Sequence, residues 1–245
     1  MRLTSMLVAG CLAACAAPAP PVPTPAPAPA PTTAQLPTAL RWMRRSAEYR
    51  GLARQTYAFA AQRLDTLTRG LGAGRWAVIL DADETVLDNS EYERRRASVD
   101  SGYSDASWAA WVRERAAGAV PGAVRFTATV RGLGGRVVIV TNRADSLCAD
   151  TRGNLAAAGI ATDLVLCMPP GESDKNPRFE RVQQGTAAPG LPALTVIEWI
   201  GDNIQDFPHL TQAARSDSTA LAEFGHRFFL LPNPVYGSWE RNQEP

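Results

Sequence analysis

The chain has 245 residues, of which 45% are hydrophobic and 20% are charged, and its formal net charge is +1 at pH 7. This balance is typical of a soluble globular protein, and it argues against binding to nucleic acid through bulk positive charge. With two histidines and no cysteine–histidine spacing of the zinc type, the chain is also a poor match to a zinc site or to catalysis by histidine.

Residues 1–15 have the pattern of an export signal. Arg2 gives a positive start, residues 6–14 form an apolar stretch too short to span a bilayer, and small residues precede Cys15. The segment resembles a bacterial lipoprotein signal, which predicts a lipid on Cys15, with Cys11 as a weaker second candidate. A plain cleaved signal peptide is the alternative. A lipid on Cys15 would hold the protein at a membrane face without spanning the membrane.

Residues 16–37 are almost wholly Ala, Pro and Thr, so this segment is predicted to be a disordered tether that carries no chemistry. Residues 38–245 are predicted to form a single domain. Helix formers dominate residues 37–69, with a rough apolar stripe that includes Leu40, Leu52 and Leu64, until three glycines end the pattern near residue 70.

Five short apolar runs follow, and each is typical of a strand buried in a sheet. They cover residues 76–80, 136–141, 163–167, 194–200 and 227–231, with helical patterns at about 144–158 and 175–184. Alternating strands and helices predict an α/β fold with a Rossmann-like parallel sheet flanked by helices. Residues 88–120 are too many for an ordinary loop, so they are predicted to form a small helical cap insert over the site.

Acidic side chains come directly after two of these predicted strands. Asp81 and Asp83 follow the first strand, and Asp202 and Asp206 follow the fourth. Ligands of parallel sheets bind beyond the carboxyl ends of the strands, so these carboxylates are expected to converge there. Such a cluster repels itself unless a cation sits within it, and hard oxygen ligands favour Mg²⁺.

A carboxylate beside a metal ion can attack phosphorus, which makes Asp81 the candidate nucleophile and Asp83 the candidate acid and base. Lys175 opens a predicted helix and would offset the negative charge, while Thr141 and Asn142 would offer a hydroxyl and an amide to the phosphate. Taken singly, each pattern is explained as a turn, a helix cap or a surface charge. Their occurrence together and in order favours a phosphoryl-transfer site.

These residues resemble the motifs of the haloacid-dehalogenase-like phosphatases. More narrowly, the strings at 81–90 (DADETVLDNS), 141–143 (TNR), 201–207 (GDNIQDF) and 232–240 (PNPVYGSWE) are similar to those of class C bacterial acid phosphatases. Many members of that class are outer-membrane lipoproteins, so the resemblance implies an anchor in the outer membrane of a Gram-negative bacterium. Ala82 departs from the pattern, because the class commonly has a bulkier apolar residue at this position.

The resemblance also implies roles for residues. Asp81, the backbone carbonyl of Asp83 and Asp202 would bind Mg²⁺, and Asp206 would support the metal through water. Members often hydrolyse nucleoside monophosphates, so the chain is expected to be a 5′-nucleotidase-like acid phosphatase, acting on a small phosphomonoester through an aspartyl-phosphate. A phosphotransferase with the same nucleophile, or a nucleotide-binding lipoprotein without turnover, is the alternative. Homodimerisation is left open.

Trp108 and Tyr236 are the candidates for stacking on a substrate base, since stacking accepts every base. For Trp108 the alternative is that it forms the apolar face of a cap helix with Trp111, three residues away. Cys148 and Cys167 either pair in an oxidising compartment or stay as two buried thiols, and their spacing does not decide between the two.

Overall fold

The computed structural model of the protein describes residues 35–99 and 101–243. The predicted signal, Cys15 and nearly all of the tether therefore lie outside the described residues. The helices are α1 (Thr38–Arg45), α2 (Ala47–Leu67), α3 (Ser90–Ser98), α4 (Asp105–Glu114), α5 (Ala123–Gly132), α6 (Cys148–Ala157) and α7 (Asn176–Gln184). The strands are β1 (Trp76–Leu80), β2 (Leu87–Asp88), β3 (Gly118–Ala119), β4 (Arg136–Ala144), β5 (Leu164–Met168), β6 (Thr195–Gly201) and β7 (Phe228–Leu230).

Five strands form one parallel sheet in the order β5–β4–β1–β6–β7. The sheet is flanked by helices, which confirms the predicted α/β fold class. β1 lies at the centre, so its carboxyl end opens between those of β4 and β6. The strand predicted at 136–141 continues to residue 144, and the helix predicted from 144 begins at Cys148 after a short 3₁₀ turn.

The hydrophobic core lies on both faces of the sheet because side chains alternate along each strand. On β1, Trp76, Val78 and Leu80 pack on one face, and Ala77 and Ile79 pack on the other. Helices α2, α5 and α6 contribute side chains to the first face and α7 to the second. A strand buried on both sides holds its last residues in fixed positions, and the site residues directly follow such strands.

The helical pattern predicted over residues 37–69 corresponds to two helices, α1 and α2. Ser46 ends α1 with an extended backbone and starts α2, where its hydroxyl accepts a hydrogen bond from the Tyr49 N–H at 3.0 Å. Leu52 of the predicted stripe is 42% exposed, because it lies off the buried face of α2. Within the described residues, no helix is both long enough and apolar enough to cross a bilayer.

Helices α3 and α4 lie between β2 and β3 in the chain. These two short strands pair antiparallel, Leu87 with Ala119 and Asp88 with Gly118, and form a ribbon where the segment leaves and rejoins the sheet domain. The sequence did not predict this ribbon. It brings the two ends of a segment of about 30 residues together, next to the end of β1.

Cys148 and Cys167 form a disulfide, with their Cα atoms 5.8 Å apart. The bond joins the first residue of α6 to β5. The two cysteines are therefore paired and are not two separate buried thiols, a choice that their spacing left open. Both residues are buried.

Candidate active site

A cavity of about 580 Å³ opens at the carboxyl ends of β1, β4 and β6. We call Asp81, Lys175, Asp202 and Asp206 the floor of this cavity. Its walls are formed by aromatic, acidic and aliphatic residues of the segment between β2 and β3 and of the C-terminal loop, namely Tyr92, Glu93, Tyr103, Trp108, Val235, Tyr236 and Glu240. Every candidate catalytic and metal-binding carboxylate that the sequence predicted thus lines one cavity.

Three carboxylates of the floor lie close together. One ligand oxygen from each of Asp81, Asp202 and Asp206 falls within 4.8 Å of the other two. Asp81 directly follows β1 and Asp202 directly follows β6, so the pairing of these neighbouring strands brings the two side chains together. Asp206 reaches the same point from a 3₁₀ turn that begins two residues after Asp202.

Lys175 lies within this cluster and not on the surface. Its ammonium group is buried, donates to Asp206 Oδ1 at 2.7 Å and makes a short hydrogen bond to Asp81 Oδ1. Burial opposes a charge on this amine, but the two carboxylates outweigh it and raise the pKa of Lys175 above its usual value. The lysine is therefore a fixed positive charge beside the candidate nucleophile.

One ammonium does not balance three carboxylates. Burial raises the pKa of Asp81 to about 7, with Lys175 acting against the shift and Asp206 and Asp83 adding to it. Burial, Asp206 and Asp81 together hold the pKa of Asp202 well above its usual value. The part of these shifts that comes from the neighbouring carboxylates would be reduced by a further positive charge in the cluster. A set of carboxylate oxygens at this spacing fits a hard divalent cation such as Mg²⁺.

Neighbouring residues orient the carboxylates of this cluster through hydrogen bonds. Asp202 accepts hydrogen bonds from the Thr85 hydroxyl at 3.2 Å and from Asn233 Nδ2 at 2.9 Å. Asp206 Oδ2 accepts from the Asn203 N–H at 2.9 Å. Gly201 leaves room for this arrangement, because a Cβ atom there would overlap the Asp206 side chain. Thr85 and Asn233 were not predicted as site residues, although both lie in the strings that carry the family resemblance.

Asp83 is 18% exposed at its side chain and lines the cavity, but its carboxylate is held by Arg143 and Asn89. Arg143 donates to it from Nη2 at 2.7 Å and from Nε at 2.9 Å, and Asn89 donates from Nδ2 at 2.8 Å. Asp83 is therefore oriented by a different set of partners from those of Asp81. Sequence reasoning gave no role to Arg143 or to Asn89.

The two predicted phosphate-binding residues near the carboxyl end of β4 are placed differently from each other. Asn142 lines the cavity, and its side-chain amide is bound to Ser173 O at 2.9 Å and to Arg178 Nη2 at 2.6 Å. Thr141 is fully buried, and its hydroxyl accepts from the Arg143 N–H at 3.1 Å. The hydroxyl still has its own hydrogen to donate. Its role toward phosphate stays a prediction.

Both aromatic residues predicted for substrate stacking line the cavity. Tyr236 makes a short hydrogen bond from its hydroxyl to the buried Glu84, which fixes the ring at the wall. Trp108 packs edge-on against Tyr92, with ring centres 5.1 Å apart, and the Arg143 guanidinium lies 5.4 Å from its ring centre. Trp108 thus lies at the cavity wall and also packs against its neighbours in the segment between β2 and β3, and its stacking on a substrate stays a prediction.

The chain is similar to known proteins in sequence and in fold. A family model described as HAD superfamily, subfamily IIIB (acid phosphatase), matches residues 13–239. The structure of the class C acid phosphatase from Bacillus anthracis is similar to this chain with a TM-score of 0.74 and 28% sequence identity, over 82% of this chain and 85% of that one. The structure of the Bacillus anthracis class C acid phosphatase with tungstate bound gives a TM-score of 0.73 at the same identity and coverage.

Proposed function

Because the chain belongs to subfamily IIIB of the HAD superfamily, the acid phosphatases, and so is a phosphoric monoester hydrolase, we propose that it works through Asp81 as nucleophile with Mg²⁺. The observation that carries this proposal is the position of Asp81, whose carboxylate lies within 4.8 Å of the ligand oxygens of Asp202 and Asp206 and is bound to Lys175. Nucleophile, metal ligands and a fixed cation thus share the floor of one cavity.

The metal would be held by Asp81, Asp202 and the backbone carbonyl of Asp83, with Asp206 bound to it through water. When bound, Mg²⁺ would offset the repulsion between the anionic phosphate and the carboxylates and would orient the phosphoryl oxygens. Lys175 adds a second positive charge at the same place. It donates to Asp81 and Asp206 at once, so it also keeps the attacking carboxylate turned toward the cavity.

The reaction would run in two displacements. In the first, an oxygen of Asp81 forms a bond to phosphorus as the ester P–O bond breaks, and Asp83 gives its proton to the departing oxygen, which leaves as an alcohol. In the second, Asp83 takes a proton from a water molecule whose oxygen attacks the phosphorus of the aspartyl-phosphate. The bond to Asp81 then breaks, releasing inorganic phosphate and restoring both carboxyl groups.

The walls support a substrate with a flat leaving group. Trp108 and Tyr236 both border the cavity above the floor, and a base between them would keep its π-face covered. We therefore propose nucleoside monophosphates as the preferred substrates. The buried Glu84 carboxyl anchors Tyr236 through the tyrosine hydroxyl, so the ring is already positioned before a substrate arrives.

The test of the nucleophile is Asp81→Asn, measured with p-nitrophenyl phosphate in the presence of Mg²⁺. An amide cannot form the acyl phosphate, so the rate should fall by at least about 10³-fold. Asp65→Asn is the matched control, since this exposed aspartate on α2 makes the same change of charge away from the cavity. Thermal unfolding of each variant shows whether the fold is intact. A folded Asp81→Asn protein with full activity would refute the proposal.

We also propose that a lipid on Cys15 anchors the enzyme to the outer membrane. The support is the signal pattern, because residue 15 is outside the described part of the chain. Cys15→Ser should move the protein from the membrane fraction to the soluble fraction of a Gram-negative host, while Cys11→Ser should leave it with the membrane. Retention of the Cys15→Ser protein in the membrane fraction would show that something else holds it there.

A further inference from the structure

The carboxylate of Asp83 is bound asymmetrically. Its Oδ1 accepts three hydrogen bonds, from Arg143 Nη2 at 2.7 Å, from Asn89 Nδ2 at 2.8 Å and from Arg143 Nε at 2.9 Å. Its Oδ2 accepts a single longer bond, from Arg143 Nε at 3.2 Å. The Arg143 Nε–H is shared between the two oxygens, so Oδ1 is the more fully engaged of the two and Oδ2 keeps free capacity for a further hydrogen bond.

Asn89 is the centre of this arrangement. It is 1% exposed, and its backbone N–H donates to Glu84 Oε1 at 2.7 Å. Its Nδ2 donates to Asp83, and its Oδ1 accepts from Trp111 Nε1 at 2.8 Å and from Arg143 Nη2 at 3.2 Å. The bond from Trp111 identifies Oδ1 as the acceptor and so turns Nδ2 toward Asp83.

Trp111, the closer of the two donors to Asn89 Oδ1, lies on α4 in the segment between β2 and β3. Trp111 is 3% exposed, and Trp108 lies one turn earlier on the same helix with its ring under the Arg143 guanidinium, 5.4 Å away. The two indoles therefore contact the two residues that hold Asp83. We propose that Asn89 and Trp111 are positioning residues through which α4 orients Asp83 for proton transfer to the leaving group.

This inference rests on the acid and base role proposed for Asp83. It also gives Trp108 and Trp111, three residues apart on α4, a role besides packing. A misplaced acid loses most of its effect even when it remains in the cavity, because proton transfer needs hydrogen-bond geometry to the departing oxygen. A role limited to packing would instead lower stability or slow all substrates equally.

The leaving group separates these two roles. p-Nitrophenol departs readily as an anion and needs little protonation, whereas the alkoxide of an alkyl phosphate such as β-glycerol phosphate does need it. We compare kcat/KM for the two substrates, because this parameter reports the steps up to the breaking of the ester bond. The quantity compared between variants is the ratio of the two kcat/KM values. A smaller amount of folded protein lowers both values equally and leaves this ratio unchanged.

Asn89→Ala should lower kcat/KM for the alkyl phosphate about tenfold or more relative to the aryl phosphate, and Trp111→Phe about threefold. Trp199→Phe is the matched control, because this indole is also buried and its N–H has no partner in the described residues. It should leave the ratio unchanged. Two variants are used so that the answer does not depend on either one folding.

Asp83→Asn provides the reference and should change the ratio the most. If it does and both Asn89→Ala and Trp111→Phe leave the ratio at its wild-type value, the positioning role is overturned while the proposed function stands. If Asp83→Asn does not change the ratio either, the acid role falls and this inference falls with it. Loss of all activity in Asp81→Asn tests the nucleophile separately from both.

Discussion

The floor and the walls of the cavity are built in opposite ways. On the floor, Asp81 and Asp202 directly follow buried parallel strands, and each carboxylate has partners that fix its position. The walls come from a segment inserted after β2 and from a C-terminal loop, and they present aromatic rings and two exposed or half-buried glutamates. The carboxylates of the floor are thus held by the sheet, whereas the aromatic residues proposed to select the substrate lie on segments outside it, of which α4 also contacts the partners of Asp83.

The largest expected effect comes from removing the divalent cation proposed for the floor. Treatment with EDTA should reduce turnover of p-nitrophenyl phosphate to below about 1% of the starting rate, since three neighbouring carboxylates would then face the phosphate with only Lys175 to offset them. Added Mg²⁺ should restore the rate. The thermal unfolding temperature, measured with and without Mg²⁺, should rise when the ion binds. Unchanged activity after chelation would contradict the assignment of the floor.

A smaller effect on catalysis than that of EDTA is expected when an aromatic residue of the walls is replaced. Tyr236→Leu should raise KM for adenosine 5′-monophosphate about tenfold, because a stacked base loses its aromatic partner. The KM for β-glycerol phosphate should change much less, since this substrate has no ring to stack. An equal rise in KM for both substrates would mean that Tyr236 acts through Glu84 and Asn89 and does not recognise the base.

The smallest effect is expected from the charge of the walls. Glu93 and Glu240 both line the cavity, and burial together with the neighbouring Glu240 raises the pKa of Glu93 above its usual value. Because two carboxylates line this wall, a leaving group that carries a carboxylate should be disfavoured there. The preference is the ratio of kcat/KM for 4-carbamoylphenyl phosphate to kcat/KM for 4-carboxyphenyl phosphate. Glu93→Gln should lower this ratio about threefold.

The control for that measurement is Glu180→Gln, which removes an exposed carboxylate on α7 outside the cavity lining. If both variants shift the preference equally, the effect belongs to the overall charge of the protein. If neither shifts it, the walls do not select by charge.

The sheet could be predicted from the sequence because its strands are short apolar runs buried on both faces, and such runs give a strong local signal. β1 was placed at residues 76–80, where the structure has it, and the other strands of the sheet were placed to within a few residues. The break at Ser46 was missed because a serine is as acceptable inside a helix as at its start, and only tertiary packing decides between them.

The residues that form the floor could also be found from the sequence, since carboxylates after neighbouring strands must come together. The partners of Asp83 could not. Asn89 and Trp111 are 22 residues apart, and their hydrogen bond depends on how α4 packs against the sheet domain. No periodicity or spacing encodes that contact. The pairing of Cys148 with Cys167 was undecided for the same reason.

The disulfide makes the stability of the domain depend on the redox conditions around it. It joins α6 to β5, an edge strand of the sheet, and β5 pairs with β4, which carries Asn142 and Arg143 near its carboxyl end. Under reducing conditions the bond is absent, so this edge of the sheet is held by non-covalent contacts alone. Protein produced in a reducing host should therefore unfold at a lower temperature than the same protein with the disulfide formed.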